Sequence, residues 1–160
     1  MSSDSPASPD SIRPSGSLLL RTMAMPGDTN PAGDIFGGWI LSQMDIAGSL
    51  LAREIAGGRV VTVAVDSMKF MKPVKVGDIV CCYGSCQKIG HTSLTIELEL
   101  WVKKIRDGER PERFLVTRGH YTYVKVNQEG RPAPLPESAG ARAAAGSDAA
   151  AAGLGISAGC

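Results

Sequence analysis

The spacing of hydrophobic and polar positions changes once along the chain, from a helical period to a strand period. Between 36 and 56, at about 100° per residue, Ile40, Met44, Ala47, Leu51 and Ile55 fall on one side, flanked by Leu41, Gly48 and Ala52. The pattern predicts one long helix, stopped by the glycines at 57 and 58. Asp45 lies at the edge of the stripe, beside Gly48 and Ala52, whose small side chains leave room next to the acid. Trp39, Ile46 and Leu50 point away from the stripe and predict a second buried face, as an oligomer contact would require.

The strand period surrounds this helix. "SLLLRTMAM" (17–25) predicts a first strand, and the turn formers of "PGDTNPAGD" (26–34) predict a loop before the helix. After it, "RVVTVAVDSMKFMKPV" (59–74) is rich in β-branched residues and ends near Pro73. "GDIVCCYGSCQKI" (77–89) predicts another strand, and "GHTS" (90–93) a tight connection. "LTIELELWVKK" (94–104) alternates: Leu94, Ile96, Leu98, Leu100 and Val102 on one face, Thr95, Glu97, Glu99, Trp101 and Lys103 on the other, as in a half-buried antiparallel strand. "RFLVTRGHYTYVKVN" (113–127) predicts the last strand. A curved antiparallel sheet is the only large apolar surface able to cover the helix, so the order strand, helix, four strands predicts an α+β fold with a sheet wrapped around one helix.

Composition sets the limits. Of the 160 residues, 17 are basic and 16 acidic, for a net charge of +1, so no global charge favours nucleic acid or a membrane surface. No apolar run approaches the ~18 to 20 residues of a membrane span, and the N-terminus lacks a signal pattern, so a cytoplasmic protein is expected. The Ser/Pro-rich segment 1–16 and the Ala/Gly-rich segment 137–160 offer little to bury and are expected to be disordered tails around a domain at 17–136, with an isolated Ala-rich helix, weakened by its glycines, the alternative in the second. Cys81, Cys82 and Cys86 lack zinc-site spacing and are expected as reduced thiols in the sheet, with Cys160 an exposed thiol on the tail.

Alone, Asp45 reads as a solvated or paired structural carboxylate, and Gly37-Gly38 as close packing of helix on sheet. Together they suggest chemistry. A helix start presents unpaired N–H groups and partial positive charge, and glycine admits a carbonyl close to them. That is the donor arrangement an oxyanion needs. Asp45 can act on the same carbon only if the substrate lies along the helix or spans two subunits.

"MPGDTNPAGDIFGGWILSQMDIAG", "GRVVTVAVDSMKFMKPVKVGDIVCCYG" and "LELWVKK", in this order and spacing, closely resemble the YciA-type acyl-CoA thioesterases of the hotdog fold, over about 18 to 136. The resemblance implies a long central helix wrapped by the sheet, paired subunits with joined sheets, and assembly as a trimer of dimers. It implies hydrolysis of acyl-CoA to free acid and coenzyme A, with the catalytic acid at Asp45 in "SQMD" and an asparagine at Asn30 in "DTNPAGD", across two subunits. "TRGHYTYV" departs from the family pattern at Arg118, Gly119 and His120, where an acid and small or apolar residues are expected.

For this chemistry the N–H of Gly38, with Gly37 or Trp39, would polarise the thioester carbonyl. Asp45 would serve as general base or nucleophile, and Asn30 would orient water or thioester. No cofactor or metal is required, since coenzyme A is part of substrate and product. Arg59, Lys88, Lys103 and Lys104 are candidates for its phosphates, with Gly90, Thr92 and Ser93 as backbone and hydroxyl contacts; each of these charges also fits ordinary solvated surface. His91 and His120 read as surface or structural residues, and Ser42 and Ser49 lack the setting of a serine nucleophile. A hotdog dehydratase would need a histidine near the helix start, and "NPAGDIFGGWILSQMD" has none. A non-catalytic acyl-CoA binding or sensing module is the alternative.

Overall fold

The structure, a computed structural model, describes residues 13–148; positions 1–12 and 149–160 of the expected tails, Cys160 included, lie outside the described residues. Strand β1 (Ser17–Met23) leads through one 3-10 turn (Pro26–Asp28) to helix α1 (Gly37–Ala56). Strands β2 (Val60–Asp66), β3 (Ile79–Ile89), β4 (Ser93–Lys104) and β5 (Glu112–Lys125) follow, then helix α2 (Ala139–Asp148). The strands form one antiparallel sheet in the order β1-β3-β4-β5-β2. Every strand pair carries a register shift, at Leu18/Leu20, Thr62/Ala64, Cys86/Lys88 and Leu100/Trp101. Such bulges bend strands, which lets a sheet curve around a helix.

The predicted helix stripe is the buried one: Ile40, Met44, Ala47, Leu51 and Ile55 pack on Val80, Cys82, Ile96, Leu98, Leu100 and Val102. Gly57 ends α1 in the left-handed region (φ 66°), where glycine has no Cβ penalty, and its N–H returns to Arg53 O at 2.9 Å. Ile46 and Leu50 are half exposed in the single chain, whereas Trp39 packs against the main core. Directional bonds fix the helix on the sheet. Tyr121 Oη donates to Leu41 O at 3.1 Å, and Tyr123 Oη to Asp45 O at 3.1 Å. Two strand residues advance about 6.8 Å and four helical residues about 6 Å, so alternate tyrosines of β5 meet successive turns of α1.

Several expectations need correction. The strand expected over 59–74 stops at Asp66, because Ser67 takes a positive φ of 62° and turns the chain off the sheet edge. The segment beyond is tied to β5 by Met71 N–H to Val116 O (2.8 Å) and Thr117 Oγ1–H to Lys69 O (2.7 Å). The expected tails contribute ordered structure. Alanine-rich α2 lies at 139–148, with Ala139 and Ala143 against the core and Arg142 over the C-terminal end of α1 at Gly57. Packing, which the sequence does not display, overcomes its weak intrinsic preference. Cys82 and Cys86 are free thiols, and burial pushes the Cys82 thiol up to about 12, but Cys81 is disulfide-bonded.

The outer sheet face is also more buried than alternation suggests. Trp101 packs with Cys81 and Tyr83, and Glu99 is 1% exposed. The Glu99 carboxylate accepts bonds from Ser15 Oγ (2.6 Å), Trp101 Nε1 (2.8 Å) and Arg118 Nη2 (2.8 Å). Burial works against its ionisation, but the bonds from Ser15, Trp101 and Arg118 outweigh burial and hold the carboxyl below its ordinary range. A depressed folded value stabilises above the unfolded pKa and fades as pH falls through the folded one. Glu99→Ala should therefore cost about 1–3 kcal/mol at neutral pH. Urea titrations across pH should show the gap from wild type closing below about pH 4.

Candidate active site

Asp45 sits in the third turn of α1, half-buried at the edge of the core. Its Oδ1 accepts two hydroxyls, Thr62 Oγ1–H at 2.7 Å and Tyr123 Oη–H at 3.0 Å. Its Oδ2 accepts no hydrogen bond among the described residues. Burial first, then the Asp45 charge and hydrogen bond, push the Tyr123 hydroxyl far above its ordinary value, so it stays a donor. The room expected beside Gly48 is taken: a Cβ there would overlap the Tyr123 hydroxyl and come within 2.8 Å of Leu98. The glycine admits a protein hydroxyl rather than a ligand. Sequence reasoning missed both Thr62 and Tyr123. Thr62 is the one hydroxyl in "VVTVAV", but its meeting with Asp45 depends on how β2 lies along α1.

The start of α1 has the other half of the expected chemistry. Phe36 caps it without a side-chain hydrogen bond, and the first N–H groups of a helix have no acceptor within it. A Cβ on exposed Gly38 would meet nothing within 4 Å, while one on Gly37 would touch the Phe70 ring at 3.5 Å. Beside this end lies a cavity of about 290 Å³, walled by Ile35, Ile40, Phe70, Met71 and Val74. Gly38 and Asp45 are seven residues apart on one straight element, or about 10 Å. A single carbonyl carbon can meet both only if the substrate lies along the helix or a second copy completes the site.

Asn30 has a structural role in the loop before α1. Its Oδ1 accepts the N–H groups of Ala32 (3.0 Å) and Asp34 (3.1 Å), and Lys75 pairs with Asp34 to anchor the loop. No hydrogen bond joins Asn30 to Asp45 within the chain.

The candidates for coenzyme A divide into two groups. Lys88, Gly90, Thr92 and Ser93 surround the β3–β4 connection, and Arg59 lies at the same sheet end, where its carbonyl accepts Val126 N–H at 3.0 Å. Arg59 also lines a cavity of about 420 Å³ with Ser49, Leu50, Arg53 and Val60. Lys103 and Lys104 lie at the opposite end: Lys103 faces Ile79, nine residues along β3 from Lys88, or roughly 30 Å. Lys104 is paired with Asp78 at 3.4 Å. The two groups cannot serve one coenzyme A site within a single chain. His120 faces Glu97 at 3.3 Å on the outer sheet face and His91 is on the exposed β3–β4 connection; neither bonds to Asp45.

Residues 32–109 match the model of the thioesterase superfamily. The acyl-CoA thioester hydrolase YciA of Salmonella typhimurium is 56% identical over 123 residues, covering 77% of this chain and 92% of that protein. The chain belongs to the YciA-type acyl-CoA thioesterases of the hotdog fold. Among solved structures of the family, a hexameric broad-specificity acyl-coenzyme A thioesterase has been captured as an aspartate-to-alanine mutant. It is 53% identical with a TM-score of 0.77, covering 82% of this chain and 94% of its own. The hexameric thioesterase of Yersinia pestis is 56% identical with a TM-score of 0.73, covering 79% and 100%. Family membership gives the sheet-wrapped helix its context as the hotdog, with Asp45 the only aspartate on that helix.

Asn30→Ala removes the acceptor for two loop amides. Hydrogen exchange should show Ala32 and Asp34 losing protection while amides in the middle of α1 keep theirs.

Proposed function

We propose that this chain hydrolyses acyl-CoA thioesters to a free carboxylic acid and coenzyme A, with Asp45 as the group that acts on the thioester carbon. One observation supports this most: Asp45 is held through Oδ1 by Thr62 and Tyr123, leaving Oδ2 as an unbonded carboxylate oxygen. A catalytic carboxylate needs both a fixed orientation and a lone pair free to act. As a base, Oδ2 takes a proton from water as its oxygen bonds the acyl carbon. As a nucleophile, it bonds that carbon directly, and water later cleaves the mixed anhydride. In both routes the C–S bond breaks, the electron pair leaves with sulfur, and the oxyanion is held by the N–H groups at Gly37 and Gly38. No cofactor enters either route.

The separation of Gly38 and Asp45 along α1 favours a site completed by a second copy, with the helix start of one subunit facing Asp45 of another. Half-exposed Ile46 and Leu50 on α1, with Val63 and Val65 on edge strand β2, offer an apolar face for such pairing. We extend this to a trimer of dimers, the hexamer by which the solved relatives are described. The split basic groups fit the same arrangement, with Arg59 and Lys88 on one subunit and Lys103 or Lys104 on another near a single coenzyme A. Asn30 then orients water or thioester from its anchored loop. No helix among the described residues is long and apolar enough to cross a membrane, and the cytoplasm is the compartment proposed.

Asp45→Ala should lower kcat by about a hundredfold or more, with the fold and coenzyme A affinity retained. Unchanged turnover would refute the assignment of Asp45, whereas coenzyme A binding with no hydrolysis by the wild type would refute the enzyme reading and favour a binding module. A single turnover in heavy-oxygen water tests the nucleophile route: label in Asp45 marks a mixed anhydride cleaved at its aspartyl carbonyl. Sedimentation should show a hexamer; an active 16.7 kDa monomer would refute the shared site.

A further inference from the structure

Tyr123 has a role that burial alone does not require. Its ring is fully buried in the core beneath α1, stacked near Tyr121 with centroids 6.4 Å apart. An aromatic ring in that place needs no hydroxyl for packing, and phenylalanine would fill it without a polar atom to satisfy. The hydroxyl is instead carried across the helix surface through the gap left by Gly48, where any Cβ would overlap it. Glycine inside a helix costs about 1 kcal/mol relative to alanine, so a helix-weakening residue stands where it admits this one hydroxyl. The hydroxyl ends 3.0 Å from Asp45 Oδ1, the oxygen that also accepts Thr62 at 2.7 Å, and shares its one proton with Asp45 O at 3.1 Å.

Two donors on one carboxylate oxygen define the rotation of the whole group. With Thr62 alone, the carboxylate can pivot about that single bond. With donors from β2 and from β5, Oδ1 is held from two strands and Oδ2 is the oxygen left to react. The rise of the Tyr123 hydroxyl far above its ordinary value, caused by burial and then by Asp45, keeps it protonated and donating.

We propose that Tyr123, admitted by Gly48, is a positioning residue that selects Oδ2 of Asp45 as the reacting oxygen. The inference rests on the assignment of Asp45 to the thioester carbon. It adds a core tyrosine and a helix glycine to the groups on which turnover depends, although neither touches substrate.

Tyr123→Phe keeps the ring and removes only the hydroxyl. Misorientation of a catalytic group by an ångström or so can cost up to about a hundredfold in rate, so kcat should fall about tenfold to a hundredfold, with KM within about twofold. Tyr121→Phe is the control: it loses a comparable buried hydroxyl bond, to Leu41 O, but nothing on the carboxylate. It should lower Tm by no more than Tyr123→Phe, whose hydroxyl serves both Asp45 O and Oδ1, while leaving kcat within about twofold of wild type. Gly48→Ala displaces the same hydroxyl from the other side and should lower kcat in the wild type, yet add no further loss of kcat in the Tyr123→Phe background. Tyr123→Phe at wild-type kcat, equal kcat losses in both tyrosine variants, or additive losses for Gly48→Ala and Tyr123→Phe would each overturn the positioning role. Asp45→Ala measured alongside separates the two failures. Turnover that survives it overturns the assignment of Asp45, whereas an inactive Asp45→Ala with a fully active Tyr123→Phe overturns the role of Tyr123 alone.

Discussion

Everything at the candidate site depends on one helix being held at one height and one rotation on the sheet. Hydrophobic burial drives Ile40, Met44, Leu51 and Ile55 into the sheet, but burial is non-directional and tolerates sliding. The hydroxyls of Tyr121 and Tyr123 remove that freedom by bonding successive turns of α1. The agreement between two strand steps and one helical turn makes this register cheap to form and hard to shift. A displacement of one residue would rotate Asp45 by about 100° and carry it away from Thr62.

The same geometry separates the functional groups. A straight helix cannot fold its own first turn back onto its third, so the uncapped glycine start and the acid stay about 10 Å apart in any single copy. The basic residues divide along the length of β3 and β4 for a similar reason: paired strands are extended and rigid. In the proposed mechanism, a carbonyl held at Gly38 and attacked through Asp45 draws on a second subunit, and the exposed apolar residues of α1 and edge strand β2 offer a face for it.

The chain just outside the region of family resemblance is used as well. Ser15 reaches the buried Glu99 on the outer face, and α2 lays Ala139 and Ala143 on the core next to α1. Arg118, one of the departures from the family pattern, is bonded to Glu99, and His120 is paired with Glu97 on the same face. Gly119 between them faces inward and admits the Met68 side chain. Met44 is buried in the core, while Phe70 and Met71 are half exposed and line the cavity at the start of α1.

The sequence determined the elements, because their signals are local. Periodicity placed the stripe of α1, the inward face of β4 and the order of strand and helix. Gly57 marked the helix end, and Asp45 stood out as an acid at the border of an apolar stripe. The tertiary structure decided what each residue meets. Thr62 and Tyr123 lie 17 and 78 positions from Asp45 and reach it only once β2 and β5 are laid against α1. Gly48 looked like space for a ligand and proved to be space for a tyrosine, since a missing side chain states a vacancy without naming its occupant. Trp101 and Glu99 read as outward residues from alternation, yet their burial depends on what covers the outer face. Helix α2 was only an alternative in the sequence for the same reason: its glycines weaken it, and the contacts that hold it come from residues distant in sequence.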